Sequence, residues 1–440
     1  MNTLIQAKVL KGFRDYLPNQ EIKRALLIEK LTEAFRFYGF VPIDTPVLEY
    51  SEILLRKSEG ETEKQVFRFE DNGGRDVALR FDLTVPFARF IASHKGELYF
   101  PFKRYHIAKV WRGEKPQAGR YREFMQCDFD SIGSDSAESD FEILSLMKKS
   151  LSILGVENIT IRLSHRGIFN AFLKKLNLHE KSEDVLRSVD KLAKVGRDEV
   201  ISQLEAISGS KETAQDILRF ISGDSDFDAC LKLMEEMSGA TREADRLRSL
   251  RAMMIAAGIE KSFVLDPSIT RGLDYYTGIV YETFLNDLPS IGSVCSGGRY
   301  DNLAGLYMKE EISGVGSSIG LDRLIAALEE LGMGEEKKSF VDAIIFYLDA
   351  PLALEYQALA EKLRRENIAV EVFPEPKKIN QQYNLAEKKG IPYGIIVKNE
   401  KDAKTGSYLL TLKNLETRES FESIDFEEAL AILKKTNLLR

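Results

Sequence analysis

Leu27, Leu31, Phe35 and Tyr38 recur at helical spacing within residues 20–38, with Glu and Lys between them and Gly39 behind them. The pattern predicts an amphipathic helix that stops at a glycine. FVPIDTPVLEY follows at 40–50, and its Pro42 and Pro46 suit an extended edge rather than a central strand. VALRFDLTVPFARF, at 77–90, reads as a strand running into a helix near Pro86. Two aromatic-rich runs, FKRYHIAKVWRGE and RYREFMQCDFDSIG, flank the turn sequence KPQAG and predict two strands around a loop. From about 165 to 260 the texture changes to charged, helix-periodic sequence with few aromatics, which predicts a helical insertion. Glycine-spaced aromatic strands return after 262, in RGLDYYTGIVYE (271–282) and SGGRYDNLAG (296–305), and GVGSSIGLDRLIAALEELG predicts a strand feeding an amphipathic helix. MGEEKK marks a linker at 333–338. Beyond it VDAIIFYL, IAVEVF and YGIIVK alternate with helical stretches, which predicts an α/β unit with a parallel sheet and its own core.

At 440 residues and 44% hydrophobic, the chain exceeds one ordinary core and should form two or three domains. No run approaches the roughly 20 apolar residues of a membrane span, and no signal-peptide pattern opens the chain, so a cytoplasmic protein without membrane partners is expected. Cys127, Cys230 and Cys295 are isolated, which suggests neither a disulfide framework nor a zinc site. His94, His106, His165 and His179 stand at spacings that define no metal site or triad, and the metal content is left unassigned. GxxxxGK[ST] and HExxH are missing from the sequence. The net charge of −7 excludes a uniformly basic coat but not a local patch. Such a patch exists: Lys103, Arg104, Lys109, Arg112, Lys115, Arg120 and Arg122 face a single acid, Glu114, within twenty residues. Strands half buried by their aromatics would aim these arginines into a shared cleft, where they would hold an anion.

Taken in order, these segments resemble the class II aminoacyl-tRNA synthetases, and most nearly the histidyl-tRNA synthetase family. The class motifs correspond to the helix, strand and proline ending at Pro46, to the strand-loop-strand of VWRGE, KPQAGRYREF and QCDFD, and to GVGSSIGLDRL. RGLDYYTGIVYE and SGGRYDNL look like the two signature segments that the histidine family adds. The resemblance implies an α+β catalytic domain on an antiparallel sheet, residues 1–332, with the helical insertion at about 165–260. A linker, 333–340, and an α/β anticodon-binding domain, 341–440, would follow. It implies a histidine-tRNA ligase: ATP and L-histidine form histidyl-adenylate and pyrophosphate, with Mg²⁺ bridging phosphates, and the histidyl group passes to the 3′ end of tRNA(His). A homodimer is implied as well, because the first helix and the Pro46 strand resemble the class's subunit interface. The alternative is a histidine-binding regulatory paralogue without aminoacylation activity.

Joining a carboxylate to an α-phosphate brings two anions together while charge grows on phosphorus, so fixed cations matter more than a protein nucleophile. By the resemblance, Arg112 and Arg271 are the catalytic cations, Arg112 on the α-phosphate and Arg271 touching both the substrate carboxylate and that phosphate. Glu114 would accept from the adenine amino group, Phe124 would stack on the ring, and Arg120 and Arg323 would clamp the distal phosphates. Asp82, Thr84 and Gln126 would meet the substrate's amino group. Asp130, Tyr276 and Tyr300 would surround the imidazole, whose two nitrogens can be read by a carboxylate and a phenol. Gly297 and Gly298 would be small to leave room for the bound amino acid, and Gln117 and Arg122 would face the tRNA acceptor end. Asp82 and Asp130 stand where many bacterial relatives carry glutamate, and Asn380 and Gln381 where relatives often carry basic residues, so anticodon contacts are left unassigned.

Overall fold

The computed structural model describes residues 4–55, 61–116, 119–189, 195–269, 276–301, 304–333, 337–402 and 406–437. The chain divides into two compact units, Met1–Asp15 with Leu27–Met333, and Tyr16–Leu26 with Gly334–Arg440. The helix predicted at 20–38 runs Pro18–Phe37 and ends before Gly39, whose positive φ of 77° closes the turn.

In the first unit the strands are β1 (Val41–Pro42), β2 (Leu48–Tyr50), β3 (Arg68–Glu70), β4 (Asp76–Leu79), β5 (Phe102–Trp111), β6 (Glu123–Ile132), β7 (Ile159–His165), β8 (Phe263–Leu265), β9 (Ile279–Leu285), β10 (Cys295–Tyr300) and β11 (Gly314–Gly320). Eight of them form one sheet in the order β1-β5-β6-β11-β10-β9-β7-β8, and β2-β4-β3 form a small second sheet. The middle of the large sheet is antiparallel, and parallel pairs occur only at its two margins, β1 with β5 and β7 with β8. Pro42 therefore lies on an edge strand, where the missing N–H breaks no ladder. The β5–β6 hairpin is paired without a bulge from Phe102 opposite Ile132 to Trp111 opposite Glu123. That register, with the period of two, puts Phe124, Gln126, Asp128 and Asp130 on one face in a single row.

The insertion separates β7 from β8. It includes the helices Arg166–Lys175, Ser182–Val189, Arg197–Ser208, Lys211–Ser222, Phe227–Ser238 and Thr241–Ala256. Its apolar stripes are continuous with the core under the sheet: Phe172 and Phe220 stack with centroids 4.4 Å apart, in the same buried cluster as Phe35, Phe129 and Ile319. Ion pairing also ties the insertion to the sheet. Arg299, on the opposite face of β10 from Tyr300, is 2% exposed and donates to Asp140 from Nη2 at 2.6 Å and Nε at 2.8 Å. Arg246 of the insertion donates from Nε to the other oxygen of Asp140 at 2.6 Å. The arginine of SGGRYD is thus a bolt between sheet and insertion rather than a ligand of the anion cleft.

In the second unit β12 (Ala343–Ile345), β13 (Val370–Val372), β14 (Tyr393–Lys401), β15 (Tyr408–Asn414) and β16 (Ser420–Ile424) lie in the order β13-β12-β14-β15-β16. The expected parallel sheet is only half of it. β13, β12 and β14 are parallel, whereas β15 and β16 are antiparallel additions. The stretch between Lys401 and Tyr408, which pair with each other, is too short for a crossover helix, so the chain turns back as a hairpin. The helices Ala353–Arg365 and Phe426–Asn437 bring Tyr356, Leu363 and Leu433 into a core with Ile345, Ile395 and Leu412.

Asp140 is fully buried, so removing its guanidinium partner leaves a charge without water. Arg299→Met is expected to cost about 3–5 kcal/mol, the penalty of breaking a buried pair, in urea titration of the full chain. Arg246→Met, at a residue still partly exposed, should cost less.

Candidate active site

Arg112 follows the last residue of β5 and Arg323 sits in the first turn of the helix Leu321–Glu330 that β11 feeds. Between them opens a cavity of about 830 Å³ whose walls include Arg112, Glu114, Arg120, Phe124, Gln126 and Arg323. Its guanidinium groups are fixed by backbone rather than left loose. Arg112 Nε donates to the Phe81 carbonyl at 2.9 Å and its guanidinium lies 5.2 Å from the Phe124 ring. Arg323 Nη1 donates to the Ser293 carbonyl at 2.6 Å. Glu114 sits between Arg112 and Arg120, at 3.9 and 3.8 Å. Burial lowers the Arg323 pKa, and the nearby Arg120 and Arg112 cations lower it further. Cations this close oppose one another, and an anion between them relieves the repulsion.

The shared cleft expected for the whole basic patch holds only part of it. Lys103 pairs with Glu142 of the helix Ala137–Ser152 at 2.5 Å, and Lys109 with Glu123 across the hairpin at 2.8 Å. Arg122 donates from Nε to the Glu114 carbonyl at 3.2 Å and from Nη1 to the Lys11 carbonyl at 3.4 Å. Arg104 is fully buried. Strand alternation gives the reason: residues one apart on β5 point to opposite faces, so a run of basic residues cannot share one cleft.

Gln126, Asp128 and Asp130 continue inward from Phe124 along the same row of β6. Gln126 lines the cavity and donates from Nε2 to Ser318 Oγ at 2.7 Å, while its Oε1 is buried without a hydrogen-bond partner. Asp130 accepts from the Tyr300 hydroxyl at 2.5 Å on one oxygen. Its other oxygen lies 2.8 Å from Arg104 Nη2, an ionic approach without hydrogen-bond alignment. Asp82 caps the start of the helix Thr84–His94, accepting from the Val85 N–H at 3.1 Å, and its second oxygen is buried and unpartnered. Thr84 is the first residue of that helix and is half-buried. Burial pushes the Asp82 carboxyl up to about 6 and Asp128 up to about 7, against the opposing pull of Arg112 on the first and Arg104 on the second. It raises Asp130 too, opposed by Arg104 and by the Tyr300 hydroxyl. Asp82, Asp130 and Tyr300 are buried beside the cavity and are not part of its open wall.

Glycines make room for these side chains. A Cβ at Gly316 would fall 1.9 Å from Asp130 Oδ1, and one at Gly298 would fall 2.8 Å from the Tyr276 ring. Gly297 and Gly298, expected to leave space for a ligand, are required by the protein's own packing as well. A Cβ at Gly297 would meet the Gly316 carbonyl at 2.1 Å and one at Gly298 the Ile279 carbonyl at 2.7 Å, so the protein's own backbone demands the glycines. Gln117 and Arg271 lie outside the described residues.

Three contributors had no such role in the sequence pattern, Asp322, Asp128 and Arg104, the last of which stood there only as a member of the basic patch. Asp322 holds Arg14 at 2.6 Å with one oxygen and accepts from the Met125 N–H at 2.6 Å with the other, fixing the N-terminal segment and β6 at the cavity. Arg104 and Asp128 form the floor with Asp130. Asp128 was open to detection, because it alternates with Gln126 and Asp130 in QCDFD; the distant partner of Asp322 left no local signal.

The histidyl-tRNA synthetase family model matches residues 12–324, and an anticodon binding domain model matches 342–436. The chain belongs to the histidyl-tRNA synthetase family. A histidine-tRNA ligase of Treponema denticola is 66% identical over 405 residues, 90% of each chain. One of Treponema pallidum is 55% identical over 425 residues, 95% of this chain and 96% of the relative. The crystal structure of histidyl-tRNA synthetase from Nostoc sp. superposes with a TM-score of 0.87 at 29% identity, covering 98% of this chain and 100% of that one. The mixed-sheet catalytic fold and the C-terminal anticodon-binding domain are thus those of this synthetase family.

The raised carboxyl of Asp128 sets a pH dependence. Its folded value, about 7, stands above the unfolded 3.8, so its contribution to stability is full below the unfolded value and is lost as pH rises through the folded one. Asp128→Asn, which has no such proton to release, should gain stability relative to the wild type between about pH 4 and about pH 7, measured by urea unfolding across that range.

Proposed function

We propose that this histidine-tRNA ligase activates L-histidine by electrostatic positioning, with the arginine-lined cavity taking ATP and the buried acid-phenol floor taking the amino acid. The observation that carries it is the convergence of Arg112, Arg120 and Arg323 on one cavity, next to a row of polar atoms left unsatisfied in the protein. Ligase function, rather than that of a regulatory paralogue, follows from family membership and from the anticodon binding domain match.

Phe124, already packed against the Arg112 guanidinium, offers the adenine a stacking face, and Glu114 offers its amino group an acceptor. Arg112 meets the α-phosphate, and Arg120 and Arg323 meet the distal phosphates. Arg271 is assigned to the carboxylate and α-phosphate together, completing the charge set at the point of attack. The carboxylate oxygen of histidine attacks the α-phosphorus, pyrophosphate leaves, and the fixed guanidinium groups stabilise the charge on the pentacoordinate phosphorus without reorganising. Asp82, Thr84 and Gln126 hold the ammonium of the amino acid. Asp130, Tyr276 and Tyr300 read the imidazole, and an analogue lacking a ring nitrogen would leave these buried groups unpaired.

Among the described residues no group of three or more Asp, Glu, His or Cys could cage a metal. The cavity acids Glu114 and Glu282 fit a Mg²⁺ carried chiefly by phosphate oxygens, where it would neutralise their charge. Gln117 and Arg122 are assigned to the acceptor end of tRNA(His), Arg122 through the segment it ties to the Glu114 carbonyl. We place the reaction in the cytoplasm, with translation; no helix among the described residues is long and apolar enough to cross a membrane. A homodimer of class II type is supported by the edge strand β1 and by exposed Val41, Val47, Leu48 and Tyr50 beside it in sequence.

Exchange of pyrophosphate into ATP, run with each amino acid separately, should respond to histidine only; exchange driven by another amino acid would reject the specificity. Arg112→Ala and Arg271→Ala should each slow adenylate formation by about 10²–10³, while ATP binding, followed by equilibrium dialysis, weakens far less.

A further inference from the structure

Arg104 and Arg299 are the largest fully buried side chains among the described residues, and no role in the nucleotide cavity accounts for Arg104. Register puts it opposite Asp130, one step along the ladder from His106 opposite Asp128 and Ser318. Its Nη2 lies 2.8 Å from Asp130 Oδ2, 4.0 Å from Asp128 Oδ2 and 3.3 Å from the Leu83 carbonyl, and its guanidinium stacks 4.3 Å from the Phe87 ring. Nε and Nη1 of Arg104 have no hydrogen-bond partner. One cation therefore serves Asp128 and Asp130 and acts on Asp82 nearby, opposing the burial that raises all three carboxyls.

We propose that Arg104 is a positioning residue for amino-acid recognition, favouring the ionised form of the Asp130 carboxyl and turning it so that one oxygen takes the Tyr300 hydroxyl while the other, close to Arg104 but without an aligned hydrogen bond, is left to a ring N–H of the substrate. Asp128 keeps Arg104 in place by attracting it from the neighbouring rung. The proposal rests on the assignment of Asp130 and Tyr300 to the imidazole. Without Arg104 nothing on β5 opposes the burial that raises the Asp130 carboxyl, and protonation of that oxygen would remove the acceptor. The groups facing this carboxyl are Arg104 and His106 from β5, Asp128 from β6, Tyr300 from β10, Tyr276 ahead of β9, and Asp82 before the helix Thr84–His94, with Arg112 beyond Asp82. His106 is held neutral by burial and by Arg104, its own value lowered to about 3, so in the neutral range it adds no competing charge.

The test is pyrophosphate exchange with the full-length protein across pH, reading KM for histidine and KM for ATP separately. Arg104→Met should raise the histidine KM by about ten- to hundredfold, leave the ATP KM within about twofold, and move the acidic limb of kcat/KM for histidine to higher pH. Arg104→Lys, which keeps the charge, should recover most of the pH profile. The double variant Arg104→Met/Asp128→Asn removes one buried acid along with the cation. It is read in place of the single variant should that one fail to fold in circular dichroism, and it is expected to show the same histidine-specific loss. An unchanged histidine KM in a folded variant, or a rise in both KM values together, overturns the proposal. Asp130→Asn separates the two levels. If it leaves histidine KM untouched, the imidazole assignment is wrong and Arg104 falls with it; if it raises KM while the Arg104 variants do not, only the positioning role is wrong.

Discussion

Three carboxylates, Asp82, Asp128 and Asp130, are each about 2% exposed around the single guanidinium of Arg104. Desolvation of this many acids is the costliest local feature of the fold, because an unpaired charge away from water loses far more than a neutral polar group does. The surroundings are organised to tolerate it. Arg104 contributes a cation on one side and Tyr300 a hydroxyl donor on the other, and the Val85 N–H caps Asp82. Several oxygens still lack partners. Under the proposed function, a ligand bringing an ammonium and ring N–H donors would partner them.

The nucleotide side obeys the opposite sign. There three arginines gather, and two of them are braced by backbone carbonyls, Arg112 by Phe81 and Arg323 by Ser293. The two halves meet along one strand, where Phe124 and Gln126 face the cavity and Asp128 and Asp130 lie deeper. An amino acid lying along that row would direct its ammonium and ring toward acids and its carboxylate toward arginines. Polarity of this kind along an antiparallel sheet would orient the substrate.

Rigidity of this sheet comes from its packing on both sides of the chemistry. Glycines on β10 and β11 let the Asp130 and Tyr276 side chains lie against neighbouring backbone, so those side chains have little freedom to swing. On the other face Arg299 and Arg246 share Asp140, joining the sheet to the insertion. A single strand, β10, thus carries Tyr300 toward the amino-acid floor and Arg299 toward the structural bolt.

The amino-acid sequence by itself determined the order of elements, the class of fold and most of the charged residues that line the cavity. Hydrophobic periodicity, paired glycines and the motif-borne Arg112, Glu114, Phe124 and Arg323 are local features, written in consecutive residues. Alternation along QCDFD also carried Gln126 and Asp130 to one face. Tertiary structure alone decided which of the basic residues enter the cavity, because Lys103, Arg104, Arg120 and Arg122 are separated by strand faces and partners far away in sequence. It alone showed that Gly297 and Gly298 answer to neighbouring backbone, that β15 and β16 turn the second sheet antiparallel, and that Asp322 reaches Arg14 across the chain. The physical reason is common to all of these: burial and pairing depend on which segments are brought together, and a one-dimensional pattern records the side chain but not its distant partner.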